Sequence, residues 1–291
     1  MSKHTTFPAA LLLAGCITLL TVPSCRKVYD FIRDHPDAHD SLCRITTLTL
    51  TGAFNDSEII NISYNAKGDP TTMLIHNPSS SLASSGNLNR WFKYDKYGRL
   101  LYYYGNFTGP SGGTNDPNAM SGLAFHKYAY PRPNFITDSL IFYPRDFGFP
   151  PMYDSGLQTS ITGYTMDLKG RISKVWSLSR DPHVAPQLIQ DMVYDANGNL
   201  PLPGSDLSYD DKVNPYRTNK VWQFINNDYS RNNVVKIDYF YFTNYNDFGL
   251  PLNLRNLAAQ PYYHLLFGLS ETGAEMLFTY ACSMPKGPID Y

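Results

Sequence analysis

The chain has 291 residues, and its 24 Lys and Arg offset 25 Asp and Glu to a net charge of -1, which gives no basic face for nucleic acid. Its 43% hydrophobic content is enough for a core. With 23 Tyr, 16 Phe and only 17% charged residues, it suits half-buried pleated sheet better than exposed helix.

Residues 1–24 read as a signal peptide. Lys3 supplies a short positive region, and the apolar run 9–22 is too short and too poorly flanked for a transmembrane helix. Val22-Pro23-Ser24-Cys25 then resembles a bacterial lipobox, whose cysteine is acylated and becomes the mature N-terminus. Leu13-Ala14-Gly15-Cys16 matches the box better as text, but it would leave Ile17-Thr18-Leu19-Leu20 as an apolar start to the mature chain. Cys25 is followed instead by Arg26, Lys27 and a polar stretch, so lipidation is expected at Cys25, with a plain cleaved signal as the alternative. Residues 25–42 then form a tether, and 43–291 a single β domain.

The first strand is expected at Cys43–Thr51, rich in β-branched residues. Residues 58–64 alternate, with Ile60, Ile62 and Tyr64 on one face, and lead through a turn into 71–76. A Ser-rich loop, a strand at Arg90–Tyr94 and another at 100–104 follow. The stretch 108–118 is Gly-, Pro-, Asn- and Ser-rich and reads as loop. Segments 123–130 and 135–143 form a hairpin whose turn has decayed into Pro131-Arg132-Pro133-Asn134. A second long loop spans 144–156. Strands are expected at 158–166, 171–179 and 188–194, after which Pro201 and Pro203 hold the chain at an edge. Residues 209–216 read as loop, 220–225 and 234–242 as strands, and 251–270 as undecided between strand and short helix. The last strand is Glu275–Cys282.

One motif organises these strands. Tyr94-Asp95-Lys96-Tyr97-Gly98-Arg99-Leu100 recurs as Tyr64-Asn65-Ala66-Lys67-Gly68, Met166-Asp167-Leu168-Lys169-Gly170, Tyr194-Asp195-Ala196-Asn197-Gly198-Asn199-Leu200 and Tyr245-Asn246-Asp247-Phe248-Gly249-Leu250. Each copy ends one apolar run and begins another, as a hairpin turn does. The Asp or Asn accepts a hydrogen bond from the backbone N–H two residues on. Three residues after it, Gly68, Gly98, Gly170, Gly198 or Gly249 takes the left-handed conformation of a type I turn with a bulge. The glycines fall 30, 72, 28 and 51 residues apart. Two strands per roughly 30 residues make a hairpin repeat, whereas a four-stranded propeller blade needs about 40–45. The expected architecture is all-β, a single curled antiparallel meander of hairpins, with a β-sandwich as the alternative.

Arg90-x-x-x-Tyr94-Asp95-x-x-Gly98-Arg99-Leu100 and the copy at 194–200 resemble the YD repeats of the RHS family. Together with the lipobox and tether, they resemble the YD-repeat-like lipoproteins of Bacteroidetes-type bacteria. The copies are few and unevenly spaced, and no large shell or toxin tip is apparent. The resemblance implies an exported, β-rich, lipid-anchored outer-membrane protein, facing the periplasm or the outside, and transfers no catalytic residue.

Local motifs for chemistry are weak. His35 and His39 are four apart among carboxylates, but Pro36 and the tether argue for a solvated linker over zinc. His76, His126, His183 and His264 have no ligand spacing. Asp195, Asn197, Asn199 and Asp206 faintly mimic a calcium loop, but the glycine required at its sixth place is Leu200. Asp154-Ser155-Gly156 matches half of an aspartic protease, and its second copy is missing. No Gly-x-Ser-x-Gly, His-Glu-x-x-His or phosphate loop occurs, and no cofactor is implied. Trp91, Trp176 and Trp222 are candidates for stacking on sugar rings, though each lies in an apolar run that a buried sheet face would claim. Asp40-Ser41-Leu42 and Asp138-Ser139-Leu140 resemble a short O-glycosylation signal. The expected role is a binding or scaffolding module for a glycan or protein ligand. The alternative is a carbohydrate-active enzyme or peptidase with its site on loops 108–118, 144–156 and 203–217.

Once Cys16 and Cys25 are assigned, Cys43 and Cys282 remain, one opening the first strand and the other closing the last. A disulfide between them is favoured in an exported protein. A flat sheet of a dozen strands would hold its edges roughly 50 Å apart. The bond therefore requires that the sheet curl until its ends meet, or that the last strand return to the first.

Overall fold

The computed structural model describes residues 43–51, 57–76, 89–106, 122–144, 157–201, 208–235, 240–246, 248–256 and 275–282. All lie in the unit Asp40–Tyr291. Cys25, the histidines at 35 and 39, Asp40-Ser41-Leu42, Asp154-Ser155-Gly156 and most of the two long loops fall outside them.

The meander consists of β1 (Cys43–Thr51), β2 (Ser57–Tyr64), β3 (Pro70–His76), β4 (Arg90–Tyr94), β5 (Leu100–Asn106), β6 (Gly122–Arg132), β7 (Phe135–Pro144), β8 (Leu157–Met166), β9 (Ile172–Leu178) and β10 (Gln187–Asp191). Next come β11 (Ser208–Val213), a 3-10 turn (Pro215–Thr218), helix α1 (Lys220–Asn226), β12 (Asn232–Val235), β13 (Phe240–Tyr245), β14 (Pro251–Asn256) and β15 (Glu275–Cys282). Thirteen strands form one sheet in the order β10-β9-β8-β7-β6-β5-β4-β3-β2-β1-β15-β14-β13, and β11 pairs with β12 in a separate ribbon. Every pairing is antiparallel, for instance β1 with β2 and with β15. The fold is thus an all-β meander that is not closed, with β10 and β13 at its edges. Among the described residues no helix is long and apolar enough to cross a membrane.

β1 does not lie at an edge. The last strand returns to it, so Cys43 stands directly opposite Cys282 with their Cα atoms 4.0 Å apart and their sulfurs bonded. Of the two geometries the cysteines left open, the chain adopts the return of the last strand.

The turn chemistry repeats faithfully. The side-chain oxygen of Asp95 accepts from the N–H groups of Tyr97 and Arg99, both at 2.9 Å, and Gly98 N–H donates to the Asp95 carbonyl at 3.0 Å. Asn65, Asp167, Asp195 and Asn246 do the same in their own turns. Gly68, Gly98, Gly170, Gly198 and Gly249 all have positive φ, from 74° to 89°. The decayed turn still closes its hairpin, with Arg132 opposite Phe135.

A second regularity involves tyrosine. The carbonyl two residues after each turn glycine accepts a tyrosine hydroxyl from elsewhere in the fold. Tyr94 donates to Pro70 and Tyr130 to Leu100, each at 2.7 Å. Tyr194 donates to Ile172 at 3.2 Å, Tyr209 to Leu200 at 2.6 Å and Tyr280 to Pro251 at 2.8 Å. Where arginine follows the glycine, it joins the two devices. Arg99 pairs with Asp95 at 2.7 Å and lies 4.3 Å from the centre of the Tyr130 ring. Arg171 pairs with Asp167 at 2.8 Å and lies 4.0 Å from the centre of the Tyr194 ring. Each turn is thereby fastened to a later part of the chain.

The core lies where one face of the sheet meets the helical insert. Ile45, Leu48, Ile60, Met73, Phe92, Tyr103, Tyr128, Leu254 and Met276 are buried with Tyr216, Val221, Trp222 and Ile225. Trp222 is fully buried and meets Phe92 of β4 edge-on, while Phe224 meets Tyr128 of β6 and Tyr164 of β8. In a flat sheet β4 and β8 would be about 19 Å apart, whereas α1 is only about 10 Å long. The sheet therefore curls around the insert.

Residues 220–225 were expected as a strand from their β-branched and aromatic content, and 209–216 as a loop; both expectations fail. Asn214 accepts from Tyr216 N–H and Asn219 from Val221 N–H, so two asparagines cap consecutive helical turns. Asn227, at φ 52°, donates its N–H to the carbonyls of Gln223 and Phe224 and ends the helix. Burial of Val221, Trp222 and Ile225 on one side outweighs their weak strand preference. Residues 208–213 pair as β11 with β12. That ribbon spans between two turns near the sheet's edges. Arg231 N–H donates to Gly198 after β10, and Val213 N–H donates to Gly249 between β13 and β14.

Candidate functional site

Antiparallel order sorts the connections into two ends. The glycine turns after β2, β4, β8 and β13, the 132–135 turn and the Cys43–Cys282 bond share one end. The strand ends at Thr51, His76, Asn106, Pro144, Leu178 and Asn256, after each of which a longer stretch of sequence follows before the next strand, lie at the other. Short hydrogen-bonded turns at one end and long connections at the other are how a rigid scaffold presents variable surface.

Toward the long-connection end, the inner face carries polar groups across β4 to β8. Arg90 Nε donates to the Tyr103 hydroxyl at 2.9 Å, and the Tyr103 ring lies 5.2 Å from that of His126. His126 Nδ1 sits 2.9 Å and 3.1 Å from the two carboxylate oxygens of Asp138. The Asp138 side chain is only 8% exposed and that of His126 is 24% exposed, so the imidazole is the open member of the pair. Hairpin register explains the meeting, since His126 faces Leu140 and Tyr128 faces Asp138, which makes His126 and Asp138 diagonal neighbours. Burial raises the Tyr128 hydroxyl pKa well above its ordinary value, and the Asp138 carboxylate adds to the shift. Tyr164 is raised by burial and then by Asp138, with the Asn227 side chain opposing. Both hydroxyls therefore stay protonated at neutral pH.

A carboxylate that holds Nδ1 fixes the ring and, in the tautomer protonated there, leaves Nε2 able to accept a proton. Among the described residues no Ser, Thr or Cys side chain is hydrogen-bonded to His126. The pair can orient or deprotonate a bound hydroxyl, and it presents no nucleophile of its own.

The residues singled out in sequence are dispersed. Trp222 fills the core, and Trp91 is buried and stacks on Tyr104 at 5.4 Å. Trp176 is half-buried, with its N–H donated to Thr165 Oγ1 at 2.9 Å. The Trp222 N–H lies beside the Tyr64 hydroxyl and opposes the rise that burial gives that group's pKa, but the geometry leaves Nε1 without a hydrogen bond. Asp195 spends its Oδ1 on its own turn, and Asn199 donates to Asn232 at 3.1 Å. Among the described residues no group of three His, Cys, Asp or Glu side chains is placed to hold a metal. Asp138-Ser139-Leu140 lies within β7, paired on both sides, with Asp138 committed to His126. Within the candidate loop 203–217, residues 208–213 are β11 and 215–217 belong to the 3-10 turn. The His126–Asp138 pair was missed because the two residues are 12 apart, meeting only through strand pairing. The turn at 131–134 was the available signal.

No protein-family model matches the chain, and no curated protein matches its sequence.

Proposed function

We propose that the chain is a lipid-anchored cell-envelope protein, of the kind represented by YD-repeat-like lipoproteins, that binds a glycan or protein ligand at its long-connection end. Acylation at Cys25 attaches it to the outer membrane, and residues 25–42 act as the tether. The observation that carries the binding role is the sorting of short turns and long connections to opposite ends of one sheet. Partly exposed His126, backed by buried Asp138, supplies a polar anchor on the inner face of the sheet. The second reading is an enzyme acting on a glycan or peptide, and the same pair favours it, as a base that lacks only a substrate hydroxyl or water to act on.

A glycan array probed with the leaderless chain carrying Cys25→Ala, with analysis of the array sugars for products, separates the two readings. Retention without turnover supports the binding module, and turnover that is lost in His126→Gln supports the enzyme. Fractionation of cells tests the anchor: Cys25→Ala should move the protein from membrane to soluble fraction, and the same shift from Cys16→Ala alone would assign the lipid to Cys16.

A further inference from the structure

The two edges of the sheet are not equivalent. The ribbon bonds to the turns beyond both edges, at Gly198 and Gly249, and the Tyr245 hydroxyl at the end of β13 donates to Asp210 of β11 at 2.8 Å. Among the described residues β10 pairs only with β9, and Gln187–Asp191 are exposed along their whole length. Leu188, Ile189 and Val193 are 42%, 60% and 67% exposed, and Val184 is 53% exposed. Natural edges are commonly guarded by Lys or other charges. Here residues 182–190 contain no Lys, Arg, Asp or Glu. The guards present are Pro182 and Pro186 ahead of the strand and a register shift between Leu188 and Gln190, which sets two aliphatic side chains side by side.

We propose that β10 pairs antiparallel with β10 of a second copy, so that two sheets join through a two-fold axis between Leu188 and Ile189. The sequence is self-complementary about that axis. Leu188 falls opposite the partner's Ile189, and Gln187 opposite the partner's Gln190. Val184, just before the strand, falls opposite the partner's Val193. A single axis therefore pairs all four exposed aliphatic residues of this segment. Asp191 falls opposite the partner's Pro186, so no like charges meet, and the neutral stretch imposes no repulsion on a second copy. An extended peptide from another protein would satisfy the same backbone groups, but nothing would require its side chains to match this order. The two-fold arrangement is also isologous and closes, leaving no further edge to grow from at this site.

The interface is one short strand per copy with flanking side chains, well below the roughly 1,200–2,000 Å² of a standard stable complex. The dimer should therefore be reversible, with a dissociation constant on the order of 10 to 100 µM.

Sedimentation equilibrium of the leaderless chain carrying Cys25→Ala, from micromolar to high micromolar concentration, reads this directly. A monomer–dimer equilibrium is expected, weakened about tenfold or more by Ile189→Lys, which places two cations at the axis. Leu277→Lys, at a side chain 37% exposed on β15, should leave it unchanged. Mixing Leu188→Cys with Ile189→Cys chains under mild oxidation should give mainly the mixed cross-link. A chain that stays monomeric throughout, a dimer indifferent to Ile189→Lys, or cross-linking equally efficient within each single variant would each overturn the proposal. So would capture of an extended peptide at β10 by a chain that does not self-associate.

Discussion

Alkaline pH should unfold this domain sharply, because its tyrosines hold the turns together as hydrogen-bond donors. Burial raises the pKa of Tyr64, Tyr94, Tyr128, Tyr130, Tyr164, Tyr194 and Tyr280, and Tyr130 is pushed up to about 12 from 10.0. A group whose pKa is higher in the folded state contributes stability that is fully present below pH 10 and lost as pH climbs toward the folded value. In that window the unfolded chain has released a proton that the folded chain still binds. For Tyr130, at 10.0 unfolded and about 12 folded, the loss by pH 11 is about 1 kcal/mol once its partial exposure is allowed for. The other six are raised in the same direction, so their losses add to this one against the roughly 5–15 kcal/mol total stability of a typical domain. Absorbance at 295 nm should therefore show the exposed tyrosines ionising near pH 10, followed by a cooperative step between about pH 10.5 and 11.5. Far-ultraviolet circular dichroism should lose its sheet signal in that same step. Smooth ionisation of all 23 tyrosines near pH 10 with the sheet signal intact would refute the assignment of these hydroxyls to buried donor roles.

Gly98→Val should destabilise by about 1–3 kcal/mol, since a β-branched residue is strained at its φ of 80°, and urea denaturation against Leu168→Val in an exposed turn position provides the comparison. Equal losses would remove the turn argument. Tyr130→Phe removes the hydroxyl from the Leu100 carbonyl but keeps the ring beside Arg99, so it should cost about 0.5–1.5 kcal/mol. Tyr97→Phe, at a ring 69% exposed, should cost nothing measurable by the same method.

What could be read in advance was local. An Asp or Asn with a Gly three places later defines its turn from its own backbone, so all five turn glycines were visible, with the strands flanking the turns at Gly68, Gly98 and Gly170, whereas β14 after Gly249 was left undecided. The tyrosine that opens the motif was visible too, but its purpose was not. Tyr94 acts on Pro70, 24 residues back, and Tyr130 on Leu100, 30 residues back. The helix at Lys220–Asn226 was hidden because Val, Trp, Phe and Ile at this spacing serve a strand as well as one short helical face. Its caps, Asn214, Asn219 and Asn227, were the better guide. Cysteine placement narrowed the sheet to two topologies and could not choose between them, because both bring Cys43 and Cys282 together.

The return of β15 to β1 has a mechanical consequence. A pull on the chain ahead of Cys43 enters the fold at an interior strand of the sheet, and the sulfur bridge shares it at once with Cys282. β1 and β15 each have a second neighbour, β2 and β14, so neither can peel away as an edge strand would. The load runs along the strands and shears whole ladders of hydrogen bonds together instead of opening them one at a time. A domain hung from its N-terminal side would thus carry force through its most deeply held pair of strands, while β10, nine strands away, stays slack.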